Sequence, residues 1–209
     1  MRTALDIELF SDKCEVVEVP LHNQCVYLIQ KNGHSSLKNQ QKRFDLSVFT
    51  NDQIRALDYV DVYIRNPRGR YVSGVNTYLQ LLQLEHPELD PSTAFWFAKR
   101  YKFLNSHYLP QFYWLANLSQ YLRDDAKIRL RDFKDFAKII THFPERELVT
   151  APTKEFVDQL LSNDPGLDLW LYLDRILLDL AGQEFTWNEL LQYYQSHHPD
   201  IIQHVLPKT

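Results

Sequence analysis

Three short runs rich in β-branched and aromatic residues sit in the first third of the chain: Gln24 to Gln30 (QCVYLIQ), Phe44 to Phe49 (FDLSVF) and Tyr59 to Ile64 (YVDVYI). The first and third are compact, near-continuous apolar runs bounded by polar residues, the pattern of strands buried on both faces; the second alternates. Between them, Ser35 to Arg43 and Asn51 to Leu57 have helix-tolerant composition, and Thr50 or Asn51 is placed to cap the latter. Strand, helix, strand, helix, strand implies parallel pairing through right-handed crossovers, hence an α/β fold with a small parallel sheet.

Beyond Val72 the pattern turns mostly helical. Val72 to Glu85 has apolar residues at helical spacing and stops before Pro87, and Pro91–Ser92 open another helix, with a break before Pro110. Lys127 to Leu130 reads as one more strand, followed by a helix from Asp132. Further helices are expected over Lys154 to Leu161, over Leu167 to Ala181, and from Thr186, where Glu189 completes capping-box spacing. The 209 residues suit one domain, read as an α/β part over 1–143 and a helical C-terminal extension over 144–209, with Pro144 to Pro152 as the boundary.

Composition narrows the function classes. A formal charge of −4, from 23 basic and 27 acidic side chains, argues against a general nucleic-acid binder or a polybasic membrane protein. No apolar run approaches bilayer length, and Met1 to Phe10 carries Asp6 and Glu8 in place of a signal peptide's apolar core; the expectation is a cytoplasmic protein. Cys14 and Cys25 are not in a CxxC arrangement, and the eight histidines show no HExxH spacing, so no metal site is expected.

Two segments carry chemistry. Lys31-Asn32-Gly33-His34-Ser35-Ser36-Leu37 follows the first strand directly. A strand feeding a glycine-containing turn into a helix aims several backbone N–H groups at one spot, and the helix N-terminus favours an anion there. Lys31 adds a full charge, and Ser35 and Ser36 add donors. The Walker A spacing GxxxxGK[ST] is absent. The second segment, Arg65-Asn66-Pro67-Arg68-Gly69-Arg70-Tyr71-Val72-Ser73-Gly74, follows the third strand. Arg65 stands at a strand end, where open parallel sheets bind ligands, and Ser73 is expected at the start of the next helix after a Pro/Gly turn. A guanidinium fork and a hydroxyl so placed can converge on one phosphate. Each segment also has a plain reading, an ordinary capped turn.

Together the pair KNGHSSL and RNPRGRYVSG resembles the two cofactor motifs of the sulfotransferases that use 3′-phosphoadenosine 5′-phosphosulfate (PAPS), and most resembles the carbohydrate-type branch containing the heparan and chondroitin enzymes. A weaker echo is Ser106-His107-Tyr108-Leu109-Pro110-Gln111, similar to an HxxPQ segment of that branch. The resemblance spans about residues 24 to 140 and implies a P-loop-like three-layer fold. It also implies sulfuryl transfer from PAPS, without a metal, to a hydroxyl or amine acceptor, a small molecule or a carbohydrate. On that footing Lys31 neutralises charge on the bridging oxygen. Lys31, Asn32, Gly33, His34, Ser35 and Ser36 hold the 5′-phosphate, and Arg65 and Ser73 hold the 3′-phosphate. The base is His107 or His34; oligomeric state is left open.

Three departures stand out: Gln30 replaces the usual proline, Asn66 replaces the aspartate after Arg65, and only 27 residues separate Leu37 from Arg65. They motivate an alternative, a catalytically degenerate relative that binds a nucleotide or a protein partner. A helical interaction module on an α/β scaffold is a third reading. The aromatic cluster from Phe95 to Trp114 is expected mainly to pack in the core.

Overall fold

The computed structural model describes residues 15–19, 22–29, 32, 47–100, 109–139 and 151–205. A mixed sheet runs in the order β1 (Val16–Val19), β2 (Gln24–Tyr27), β3 (Tyr59–Ile64), β4 (Lys127–Asp132) and β5 (Glu184–Phe185). The three central strands are parallel, as the near-continuous apolar runs of β2 and β3 predict, while β1 and β5 form antiparallel edges. The sheet is therefore mixed rather than purely parallel.

The segment expected as a strand over 44–49 needs correction. Residues 44–46 lie outside the described residues. Residues 47–49 join the outer edge of β1: Glu18 N–H donates to Ser47 C=O, Phe49 N–H donates to Val16 C=O, and Val48 bridges Val17 antiparallel. Both edges of β2 are already taken by β1 and β3, so no position beside it is left for a further strand.

Helices α1 (Asn51–Arg55), α2 (Pro67–Glu85), α3 (Pro91–Arg100), α4 (Gln111–Ser119), α5 (Ala151–Asn163), α6 (Pro165–Asp179), α7 (Trp187–His197) and α8 (Pro199–Val205) surround the sheet, with a 3-10 helix over Phe133–Lys138. Thr50 caps α1 and Thr186 caps α7, each in a full capping box, the second as its spacing predicts. Where a helix was expected from Asp132, β4 runs on to Asp132, whose side chain then caps the 3-10 helix by accepting from Lys134 N–H.

Alternation along the strands sorts the core into two faces. Tyr27, Ile29, Val60, Val62, Ile64, Ile128 and Leu130 pack with Leu115 and Leu118 of α4, Leu173 and Leu177 of α6, and Leu190 and Tyr194 of α7. The opposite face, with Val17, Val19, Val26, Leu28 and Tyr63, lies against Phe136 and Ile139. A third cluster joins Tyr71 and Val75 of α2 to Ala98, Val157, Leu160, Leu167 and Leu171. The C-terminal helices are thus part of the main core. Among the described residues no helix is long and apolar enough to cross a membrane.

Candidate functional site

β2 and β3 run parallel with Val26 facing Asp61, so β2 ends at Tyr27 two residues short of the end of β3 at Ile64, and Leu28 and Ile29 carry the chain on toward that end. What leaves these two ends defines the site. After β2, Leu28 and Ile29 are buried, and Asn32 N–H turns back to donate to Ile29 C=O at 3.0 Å. The Asn32 side chain is buried too, donating to Tyr63 C=O at 2.7 Å and to Gln111 Oε1 at 2.5 Å. Asn32 therefore anchors the start of its loop, with its N–H and amide turned into the protein rather than toward a phosphate. Lys31, Gly33, His34, Ser35 and Ser36 lie outside the described residues, as does His107.

After β3, the chain enters α2 at once. Pro67 occupies the first helical position, where its fixed φ and missing N–H suit it, and Asn66 Oδ1 accepts from Gly69 N–H at 2.9 Å. The helix begins five residues earlier than expected. Gly69 and Gly74 are helical rather than flanking a turn, and Ser73 lies in the second turn rather than at the start. Seven positions separate Asn66 from Ser73, close to two full turns, so both fall on one side of the helix near Arg65. The amide of Asn66 supplies the cap without a carboxylate's charge. Half-buried Arg65 carries its guanidinium over the Phe133 ring, 5.6 Å from the centroid.

Arg68 and Arg70 take different routes. Exposed Arg68 pairs with Asp158 of α5, tying the first turn of α2 to the C-terminal helices. Arg70 is buried and donates to Leu109 C=O at 2.5 Å; burial lowers its pKa to about 10. A groove of about 570 Å³ opens beside this first turn, between α2, α5 and α6, and includes Asn66, Ser162 and the ion pair of Asp168 with Arg175.

Gln111, fully buried, holds the two strand ends together. Its Oε1 accepts from Asn32 and from Arg65 N–H at 2.9 Å, and its Nε2 donates to Arg65 C=O at 2.9 Å. Asp174 of α6 holds Gln111 in turn: its carboxylate accepts from Gln111 N–H at 2.7 Å, Gln111 Nε2 at 3.2 Å and Phe112 N–H at 2.9 Å. These are the first two N–H groups of α4, whose own N-cap, Pro110, provides no side-chain hydrogen bond. A carboxylate from a distant helix thus does the capping.

No family model, curated protein or solved structure matches this chain.

In the sequence Gln111 stands out only within the HxxPQ echo, and Asp174 belongs to no motif. A signal was present: Asp174 shares a helical face with Leu167, Leu171 and Leu177, all buried. A lone carboxylate on an apolar stripe requires buried donors.

Burial raises the Asp174 pKa, against the pull of Arg70 and the three N–H donors. A raised folded-state value means the native protein binds a proton that the unfolded chain has released. The Asp174 contribution to stability is thus full below the ordinary value of 3.8 and declines as pH climbs through the folded-state value. Urea titrations from pH 4 to 8 should show wild type losing stability relative to Asp174→Asn with rising pH. A difference that widens in wild type's favour would contradict this sign.

Proposed function

We propose that the protein is a sulfotransferase that moves a sulfuryl group from PAPS to a hydroxyl or amine acceptor, on a P-loop-like fold centred on the mixed sheet. The observation carrying this reading is that the strands preceding the two motif segments, β2 and β3, are parallel neighbours, so both segments leave the sheet at its carboxyl end. Two phosphate-binding segments leaving one sheet edge side by side suit a ligand with phosphates at both ends of a nucleoside.

The residues present fit such a ligand at its 3′ end. Arg65 is half-buried at a strand end, with a rigid backbone held by Gln111, and half-buried Ser73 lies on the Asn66 side of α2. These two side chains hold the 3′-phosphate, the group distinguishing PAPS from ATP. Lys31 and the N–H groups of Gly33 to Ser36, with the serine hydroxyls, hold the 5′ end. Bound PAPS supplies the activated sulfuryl group. Lys31 stabilises charge on the departing bridging oxygen, and His107 or His34 accepts the acceptor's proton.

Titration calorimetry with 3′-phosphoadenosine 5′-phosphate (PAP) and with adenosine 5′-phosphate tests the reading. PAP should bind far more tightly. Arg65→Ala should weaken PAP by about 10- to 100-fold, the worth of one charge-assisted contact, and leave the other nucleotide nearly unchanged. Equal affinity of wild type for both nucleotides, or for neither, would remove the claim.

A further inference from the structure

We infer that Gln111, held from the C-terminal region by Asp174, is a positioning residue that sets Arg65 against Asn32, where the two motif segments leave the sheet. The inference rests on the proposed PAPS site and adds to it a residue that touches neither phosphate.

The side chain of Gln111 has one acceptor atom, which serves both strand ends, and one donor group, which is divided between Arg65 and Asp174. Its oxygen takes one hydrogen from Asn32, two residues beyond Gln30 at the end of the β2 run, and another from the backbone of Arg65. Its amide nitrogen closes the ring on Arg65 C=O. Gln111 thus mimics a strand's backbone at the point where the β2–β3 ladder ends, reading Arg65 as a paired strand residue would. Arg65 is fixed at N–H and C=O together, so its peptide plane, and the direction in which the side chain departs, follow the position of Gln111.

That position is not set locally. Asp174, 63 residues later, grips Gln111 at its N–H and at Nε2. The network lies among fully or nearly fully buried groups: Gln111 is 0% exposed, Asp174 1%, Asn32 4%. Hydrogen bonds so shielded hold their geometry against competition from water. Alpha helix α6 therefore contributes to the site through Asp174 and Gln111, and small shifts of α6 on the sheet reach Arg65 and Asn32 in concert.

The test separates positioning from mere stability. Gln111→Ala and Leu173→Ala are compared by PAP calorimetry at a temperature where both are folded by circular dichroism. Leu173 is buried beside Asp174 on the same helix and serves as a destabilised control. Gln111→Ala should weaken PAP by about tenfold or more, whereas Leu173→Ala should stay within about threefold of wild type. Should Gln111→Ala not fold, Gln111→Met serves, since it fills the same space but can neither accept from Asn32 and Arg65 N–H nor donate to Arg65 C=O or Asp174, and the same tenfold loss is expected. Wild-type affinity in the Gln111 variant, or an equal loss in both variants, overturns the inference while leaving the PAPS reading intact. Failure of wild type to bind PAP removes that reading, and the inference with it.

Discussion

Phe112→Ala should destabilise the protein by about 3–5 kcal/mol, the cost of emptying a fully packed aromatic site. Phe112 is 0% exposed and meets rings on three sides: Tyr194 at 5.0 Å, Trp187 at 5.5 Å and Tyr113 at 6.1 Å between centroids. Tyr194 and Trp187 belong to α7, so this single ring joins the helix that carries Gln111 to the C-terminal helices. Its neighbours cannot collapse into the space easily, because Tyr194 is itself held by donating its hydroxyl to Leu173 C=O at 2.8 Å. Thermal unfolding should shift down by about 10 °C. A loss under 1 kcal/mol in urea titration would mean that the aromatic cluster repacks freely and that α7 is only loosely joined to α4.

The sequence disclosed β3 because it is buried on both faces, which leaves YVDVYI as a nearly unbroken apolar run, and β4 through the alternation of KIRL. Asp61 interrupts that run without breaking the strand, since Arg131 on β4 pairs with it at 2.7 Å. The edges were harder to read. β1 has only four residues and β5 two, and each exists by pairing with a neighbour rather than through its own pattern. The start of α2 was hidden by Pro67 and Gly69, which read as a turn until Pro is recognised as a first helical residue.

Site residues divide along similar lines. Arg65 was legible because a strand end and a local motif coincide. Gln111, Arg70 and Asp174 were not, because each acts through partners 39 to 79 residues away. No local pattern encodes such a contact; only the mismatch of a charged side chain on an apolar helical face points to it.

Lys31→Ala should abolish most transfer, lowering turnover by about 10²- to 10³-fold, the typical loss on removing one preorganised donor from developing charge. Far-UV circular dichroism and the melting temperature should match wild type. The measurement is an initial-rate assay with labelled PAPS across a panel of hydroxyl and amine acceptors. Retention of the wild-type rate would take Lys31 out of the mechanism. Intact PAP binding with no transfer by the wild-type protein to any acceptor would instead favour the degenerate relative that Asn66 and the short interval between the motifs suggest.

The carboxylate that caps α4 from α6 bears on the order in which the polypeptide matures. During synthesis, β3 and the helices after it leave the ribosome well before Asp174, and until then the first N–H groups of α4 lack their acceptor. β4 is in the same position, since Leu130 N–H finds its acceptor in Gln183 and Leu130 C=O accepts from Gly182 N–H. A nascent chain paused near residue 150 should therefore hold an open strand edge and an unfinished helix, the kind of intermediate that chaperones recognise. Closure of the β2 and β3 ends thus waits on Asp174, and of the β4 edge on Gly182 and Gln183, all made well after those strands.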